Sequence, residues 1–283
     1  MSEVIPMENQ ILLITDFSKA SWNALIYGME IYKKTKAKFF ILHCYKKELL
    51  KQNKKEEKAE SEIGLQRIMQ GISFRKENFP HQFESISSQK KVQDAVHDIT
   101  DSNKIDLIIL GSPGDSAGIN HAYHNWVSEI LQSLDSFPIL VIPETCKFTQ
   151  KEFSEIVFPS PFSNSYKSQE LKTIIHLAKL TNASIRVLEI QESNGTLNKK
   201  QLANKEELDT LLEGAKFTFH KLTDTTISTG IRLFIQSRNS NMLSLYRRKK
   251  GFFTRLFNQS MEKDIDFDPS VPVLVIPELN KNE

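Results

Sequence analysis

Short runs of aliphatic and β-branched residues alternate along this chain with longer stretches whose apolar residues return every three or four positions. The first pattern predicts strands buried on both faces and the second predicts amphipathic helices. In the first half, strands are expected at Ile11–Ile14, Lys38–His43, Gln82–Ser87 and Ile105–Leu110, and over the proline-fenced phrase Phe137–Glu144. Between them fall helices at Ser18–Lys34, within Lys46–Asn78, at Val92–Asn103 and at Ala122–Leu134. Ser18 is placed to cap the first helix, whose stripe is Ala20, Leu25, Ile26, Met29 and Ile31. The lysine–glutamate mixture of Lys46–Glu60 reads as a solvated helix face or a connection. Strict strand–helix alternation implies parallel strands joined by right-handed crossovers, a doubly wound α/β layer.

The second half repeats this order. Strands are expected at Ile156–Phe158, Ser184–Ile190, Phe217–His220 and Asn241–Tyr246, with helices at Ser165–Leu180, Lys199–Leu212, Thr225–Ser237 and Phe252–Lys263. The last strand is Val271–Glu278, which nearly duplicates Phe137–Glu144. Two copies of one α/β unit are therefore expected, at residues 8–144 and 153–279, with Thr145–Lys151 between them. A length of 283 residues suits two domains with a core each.

Composition narrows the classes. A net charge of +2 gives no electrostatic footprint for nucleic acid or a membrane surface. Residues 1–9 carry neither the basic nor the apolar stretch of a signal peptide, and no apolar run approaches the roughly 20 residues that span a bilayer. Cys44 and Cys146 are the only cysteines, which suggests free thiols in a reducing compartment. The expected location is the cytoplasm.

The phrases Leu12–Ser18, Ile41–His43 and Asp106–Gly114, followed by the two proline-fenced strands, resemble in order and spacing the universal stress protein family. The resemblance covers nearly all of residues 8–144 and, in order and hydrophobic pattern, the second half. It implies two tandem Rossmann-like domains, each a five-stranded parallel sheet with helices on both faces. It further implies a pseudo-two-fold axis, with the closing strands paired antiparallel as an internal pseudo-dimer. Further pairing into a homo-dimer would be compatible with it.

The resemblance also implies a site for ATP or another adenine nucleotide. Asp16 takes the place of the family's aspartate after the first strand, Cys44 falls at the end of the second, and Gly111 and Gly114 form the Gly-x-x-Gly after the fourth. The family's downstream Gly-Ser falls here on His124-Asn125 or, aligned backward from Pro138, on Asn125-Trp126. Each residue also has a structural reading. Asp16 can be a turn residue ahead of the first helix. Glycines after a strand mark tight turns, and His124 or Asn125 can cap their own helix. Trp126 can be core, and His121 and His124 have ligand spacing but no third partner, so no metal is expected.

In the second unit Asp16 becomes Pro161 and the glycine pair becomes Tyr246 and Lys249, within Arg247-Arg248-Lys249-Lys250. That unit is expected to hold no nucleotide in the family manner. Arg247, Arg248 and Lys249 could attract a phosphate or acidic partner, or form a solvated basic loop. Three functions follow. The first is a stress-response protein with a nucleotide site in the front unit and a structural rear unit. The second is a nucleotide-independent dimerising platform. The third, a related hydrolase, lacks any readable nucleophile–base or phosphate-loop motif, and a non-enzyme is expected.

Overall fold

The computed structural model describes residues 9–45, 54–75, 79–113, 121–193, 195–247 and 271–279, with residues 54, 55 and 121–126 described in backbone alone. In the front unit the elements are β1 (Asn9–Ile14), α1 (Lys19–Ile31), β2 (Ala37–Cys44), α2 (Lys54–Ser73), β3 (His81–Ser88), α3 (Val92–Ser102), β4 (Leu107–Ser112), α4 (His121–Ser133) and β5 (Ile139–Pro143). The rear unit has β6 (Glu155–Pro159), α5 (Ser168–Thr181), β7 (Ser184–Ile190), α6 (Lys199–Leu211), β8 (Lys216–Leu222), α7 (Ile227–Arg238), β9 (Met242–Arg247) and β10 (Val273–Pro277).

The ten strands form one sheet in the order β3-β2-β1-β4-β5-β10-β9-β6-β7-β8. Within each unit every pairing is parallel. Only β5 and β10 run antiparallel, with Leu274 opposite Leu140 and Val273 opposite Val141. Helices cover both faces. On one, α1, α2, α5 and α6 share a core with Leu13, Phe39, Ile109, Leu140, Phe158 and Leu274. On the other, α3, α4 and α7 pack over Leu12, Ile108, Ile139, Val157 and Val275. Both layers run across the junction of the units. Complete burial of each such side chain stabilises by about 1.5–3 kcal/mol.

The local signals work as expected at several ends. The Ser18 hydroxyl accepts the Ser21 amide at 3.2 Å to cap α1. Asn182 and Asn239 close α5 and α7 in the left-handed conformation. Gly230 sits inside α7 because a Cβ there would stand 3.1 Å from Ile190, so the glycine lets helix and strand approach closely. Several boundaries differ from the sequence reading, among them those of α2, β4 and β9. α2 spans Lys54–Ser73, and the remainder of the expected Lys46–Asn78 stretch adjoins or lies within 46–53 and 76–78, outside the described residues. β4 continues through Gly111 to Ser112, and β9 includes Arg247, because both strands stay in register with the closing strands up to Pro143 and Pro277. The expected helix Phe252–Lys263 lies outside the described residues. Among the described residues no helix is long and apolar enough to cross a membrane.

Polar contacts also tie the units together. Asn23 Nδ2 donates to the carbonyls of Pro143 and Cys146 at 3.0 and 2.8 Å, fixing the connection to α1. His176 on α5 shares a 2.7 Å hydrogen bond with Asn9 of β1. Within the rear unit, beyond β10, the Leu279 amide donates to Glu170 and its carbonyl accepts from Lys167, both at 3.0 Å, which fastens the closing strand to α5. Removing residues 271–283 is therefore expected to uncover the edge of β5 and convert the protein to intermolecular dimers or aggregates, read by size-exclusion chromatography with light scattering. A well-behaved monomer would contradict this.

The rear unit is braced at Glu155, 7% exposed at the start of β6. Arg186 Nε donates to one of its oxygens and Arg238 Nε to the other, each at 2.9 Å. Burial raises the Glu155 pKa, but the hydrogen bonds and charges of Arg238 and Arg186 outweigh it and hold the carboxyl below its ordinary 4.5. A carboxylate depressed in the folded state contributes stability that is present above its unfolded pKa and lost as pH falls through the folded one. Glu155→Gln is expected to lower stability by about 2 kcal/mol at neutral pH. It should also flatten the loss of stability below pH 4.5, as followed by urea unfolding across the acid range.

Candidate functional site

The carboxyl ends of β1, β2 and β4 lie side by side, because Ile14 pairs with both Leu42 and Leu110. In an open α/β sheet this is where ligands bind. The turn that leaves β1 is tightly tied. The Thr15 hydroxyl accepts the Phe17 amide at 3.1 Å and lies 3.0 Å from the Ser21 hydroxyl. Asp16 Oδ1 accepts the Ser18 amide at 3.0 Å, so part of the carboxylate holds the entry to α1. Phe17 has φ 63, a left-handed conformation rare for a bulky residue.

Gly111 does not lie in a loop. It is the penultimate residue of β4, and a Cβ there would stand 2.4 Å from the Ala20 carbonyl group and 2.5 Å from the Ser21 amide. The glycine therefore lets the first turn of α1 sit directly on β4. Gly111→Ala is expected to cost about 2–3 kcal/mol through overpacking, in the absence of any ligand. Thermal or chemical unfolding reads this directly, and an unchanged stability would remove the packing role.

The second strand ends with two side chains on opposite faces. Cys44 packs toward the α3 layer, and burial pushes its thiol up to about 11, so it is an unreactive neutral group at physiological pH. His43 faces α2. Its Nδ1 lies 2.8 Å from the Ser61 hydroxyl, which lies 2.7 Å from that of Ser87. Burial holds the His43 imidazole below its ordinary range, against the opposing pull of Asp16. The Phe17 ring lies over it with centroids 4.1 Å apart. Ser61 and His43 make a hydroxyl–imidazole pair, but Ser61 is 1% exposed, which denies a substrate access. The chain of hydroxyls works as a strut joining β2, α2 and β3. Strand alternation signals His43, since it falls on the face opposite Cys44. The partner Ser61 carries no such signal.

Other anticipated residues are placed differently. Asn125 and Trp126 are not at a helix start: α4 begins at His121, so residues 125 and 126 lie a full turn inside it. Beyond the first four residues, helix amides are bonded internally and cannot cradle a phosphate. The side chains of His121, His124, Asn125 and Trp126 lie outside the description, as does all of Gly114. Among the described residues no group of three or more histidines, cysteines or acids could hold a metal ion.

The rear unit shows what happens to the same place when it is filled. Pairing registers align Gly111 with Tyr246 and Phe17 with Phe162, which is also left-handed at φ 53. Tyr246 packs edge-on against Tyr166 with centroids 4.8 Å apart, and Tyr166 lies 5.5 Å from Phe158. The Tyr166 hydroxyl lies 2.8 Å from that of Ser160, repeating the Thr15–Ser21 contact with a large ring in place of a serine. Phe162, Tyr166 and Tyr246 are all buried. Pro161 supplies no carboxylate, and its carbonyl accepts from Gln201 of α6 at 3.0 Å. Arg247 is not a free anion ligand. It is half-buried, and its guanidinium donates to the Leu131 carbonyl near the end of α4, where a cation is favoured. Burial lowers its pKa, opposed by Asp135. Arg248 and Lys249 lie outside the described residues.

Comparison with known proteins adds the following. Residues 7–141 match the model of the universal stress protein family. No curated protein matches the chain. Among solved structures, a universal stress protein from Archaeoglobus fulgidus DSM 4304 is similar over 97% of this chain and 98% of its own, with TM-score 0.68 and 17% identity. The functionally unknown protein PA1789 from Pseudomonas aeruginosa PAO1 is similar over 96% and 93%, with TM-score 0.54 and 13% identity. The cytoplasmic domain of a prokaryotic cation chloride cotransporter is similar over 95% of both chains, with TM-score 0.52 and 7% identity. At these identities the likeness is one of fold, and it extends over both units.

Proposed function

From the match of residues 7–141 to the universal stress protein family we propose a tandem stress-response protein whose front unit binds an adenine nucleotide. The site is the group of strand tips around Asp16, and the rear unit is a structural partner. The observation that carries this reading is the asymmetry between the copies. Where the rear unit fills the tips of β6 and β9 with Tyr166 and Tyr246, the front unit keeps Ser21 and Gly111 and retains a carboxylate at Asp16. A carboxylate beside the tips can accept from ribose hydroxyls. The reading is one of binding without turnover, and the hydroxyl beside His43, that of Ser61, is buried and offers no nucleophile. The cytoplasm is its expected compartment.

One observation favours a second reading, a platform of the same fold that works without nucleotide. Asp16 and Gly111 each have a structural task, one in the turn before α1 and the other beneath it. Calorimetry separates the two. Titration with ATP and AMP is expected to give saturable heat below millimolar concentration, and Asp16→Ala should weaken the affinity at least about tenfold, equivalent to about 1.4 kcal/mol. The absence of heat at millimolar nucleotide would leave only the platform.

A further inference from the structure

On the α1–α2 side of the front unit lies a groove of about 540 Å³, lined by both helices and the turn before α1. Its walls are two aromatic rings laid on glycines of α2. A Cβ at Gly64 would stand 2.4 Å from the Phe17 ring, and one at Gly71 would stand 2.7 Å from that of Trp22. The rings therefore rest on bare helix backbone at points seven residues, or about 10 Å, apart. Between them the groove is lined by Ile63 and Arg67. Ile63 is 47% exposed and Phe17 38%, both unusual for residues so apolar.

The rear unit shows that the exposure of Phe17 is not dictated by the turn. Phe162 has the same left-handed backbone but is 1% exposed. It lies 6.0 Å from Phe219 between centroids, with Lys205 at 5.6 Å and with its carbonyl accepting from the buried Asn204 at 2.7 Å. One copy seats its phenylalanine in the core, and the other holds it at the rim of an open groove.

We infer that the α1–α2 groove of the front unit is a second ligand site, separate from the strand tips, and that it takes a small aromatic anion. The ring system lies between Phe17 and Trp22 over the α2 backbone, and the acid group meets Arg67. The volume falls within the roughly 300–1,000 Å³ of small-molecule sites. Arg67 lies on α2 between Gly64 and Gly71, so a cation stands at the middle of the groove. Glu60, the acid on the same lining, stands beyond Gly64 at the Phe17 end, where it disfavours an anion and sets the ligand's direction. A guanidinium beside exposed aromatic surface favours a planar anion over an aliphatic one.

The test uses the full chain and two dyes, anionic 8-anilino-1-naphthalenesulfonate and neutral N-phenyl-1-naphthylamine. The chain has two tryptophans, so in Trp126→Phe all tryptophan emission comes from Trp22, which lines the groove. The sulfonate is expected to quench Trp22 saturably with one dye per chain. Ile63→Glu, at an exposed position, should weaken that binding at least about tenfold. Arg67→Gln should weaken the sulfonate about five- to tenfold while changing the neutral dye by less than about twofold. Saturating ATP should leave the sulfonate in place. Unsaturable quenching, or quenching unaffected by Ile63→Glu, would overturn the site. Equal weakening of both dyes by Arg67→Gln would overturn its anion preference, and displacement by ATP would overturn its separateness. Apart from the competition with ATP, none of these outcomes depends on whether the strand tips bind nucleotide.

Discussion

The antiparallel pairing of β5 with β10 is the contact on which the rest of the molecule depends. Each unit ends on a strand that would otherwise present a row of unpaired amides and carbonyls, a template for aggregation. Their mutual pairing removes both edges and makes one ten-stranded sheet. Prolines before and at the end of each closing strand limit it to five residues, three of which pair across the junction, since proline donates nothing to a sheet. The pairing also makes the two cores continuous. Leu140 and Leu274 face each other in the same layer, and α1 and α5 meet above them across the pseudo-two-fold axis. Arg247 extends the bond beyond the sheet by reaching from β9 to the end of α4.

That junction allows the two copies to differ where ligands would sit. The substitutions at the strand tips are not independent of one another. A tyrosine at the position of Gly111 would collide with the first turn of a helix placed like α1. The rear unit tolerates Tyr246 because α5 starts later after its strand, at Ser168, and the intervening segment contributes Tyr166 to meet it. The serine–threonine contact that ties the front turn persists in the rear as Ser160 with Tyr166. Backbone plan and polar tie are kept, while the place over the fourth strand of each unit is taken by the first turn of α1 in one and by rings in the other.

Much of this was legible in the sequence, and the reasons for the remainder are physical. Buried strands announce themselves as aliphatic runs, and the near-duplication of Phe137–Glu144 in Val271–Glu278 located the closing pair. Alternation found β3 although it lies at the sheet edge. What the sequence did not reveal is the packing role of its glycines. Gly111 followed by Gly114 reads as a phosphate loop, but the group that requires Gly111 to lack a side chain is the backbone of Ala20 and Ser21, far away in sequence. Gly64 and Gly71 were unremarked for the same reason, since their partners Phe17 and Trp22 sit on another element. Arg247 looked like the first member of a basic loop because a strand continuing into charged residues has no local signature. Only its register with Pro277 and the carbonyl of Leu131 give it a place.

The unequal copies also divide the energetic demands of function. An exposed ring at Phe17 forgoes burial that the rear unit retains at Phe162. A left-handed phenylalanine costs roughly 1–2 kcal/mol against a right-handed one, and in the rear unit that cost is offset by complete burial of the ring. In the front unit the same strain is offset only in part, by stacking on His43 and contact with Gly64. Because the two cores are joined through β5 and β10, stability gained in the rear unit from its aromatic packing and from the Glu155 network supports the front unit as well. Duplication followed by the sealing of one copy is therefore a route by which a domain can keep an unfilled surface while the chain as a whole remains folded.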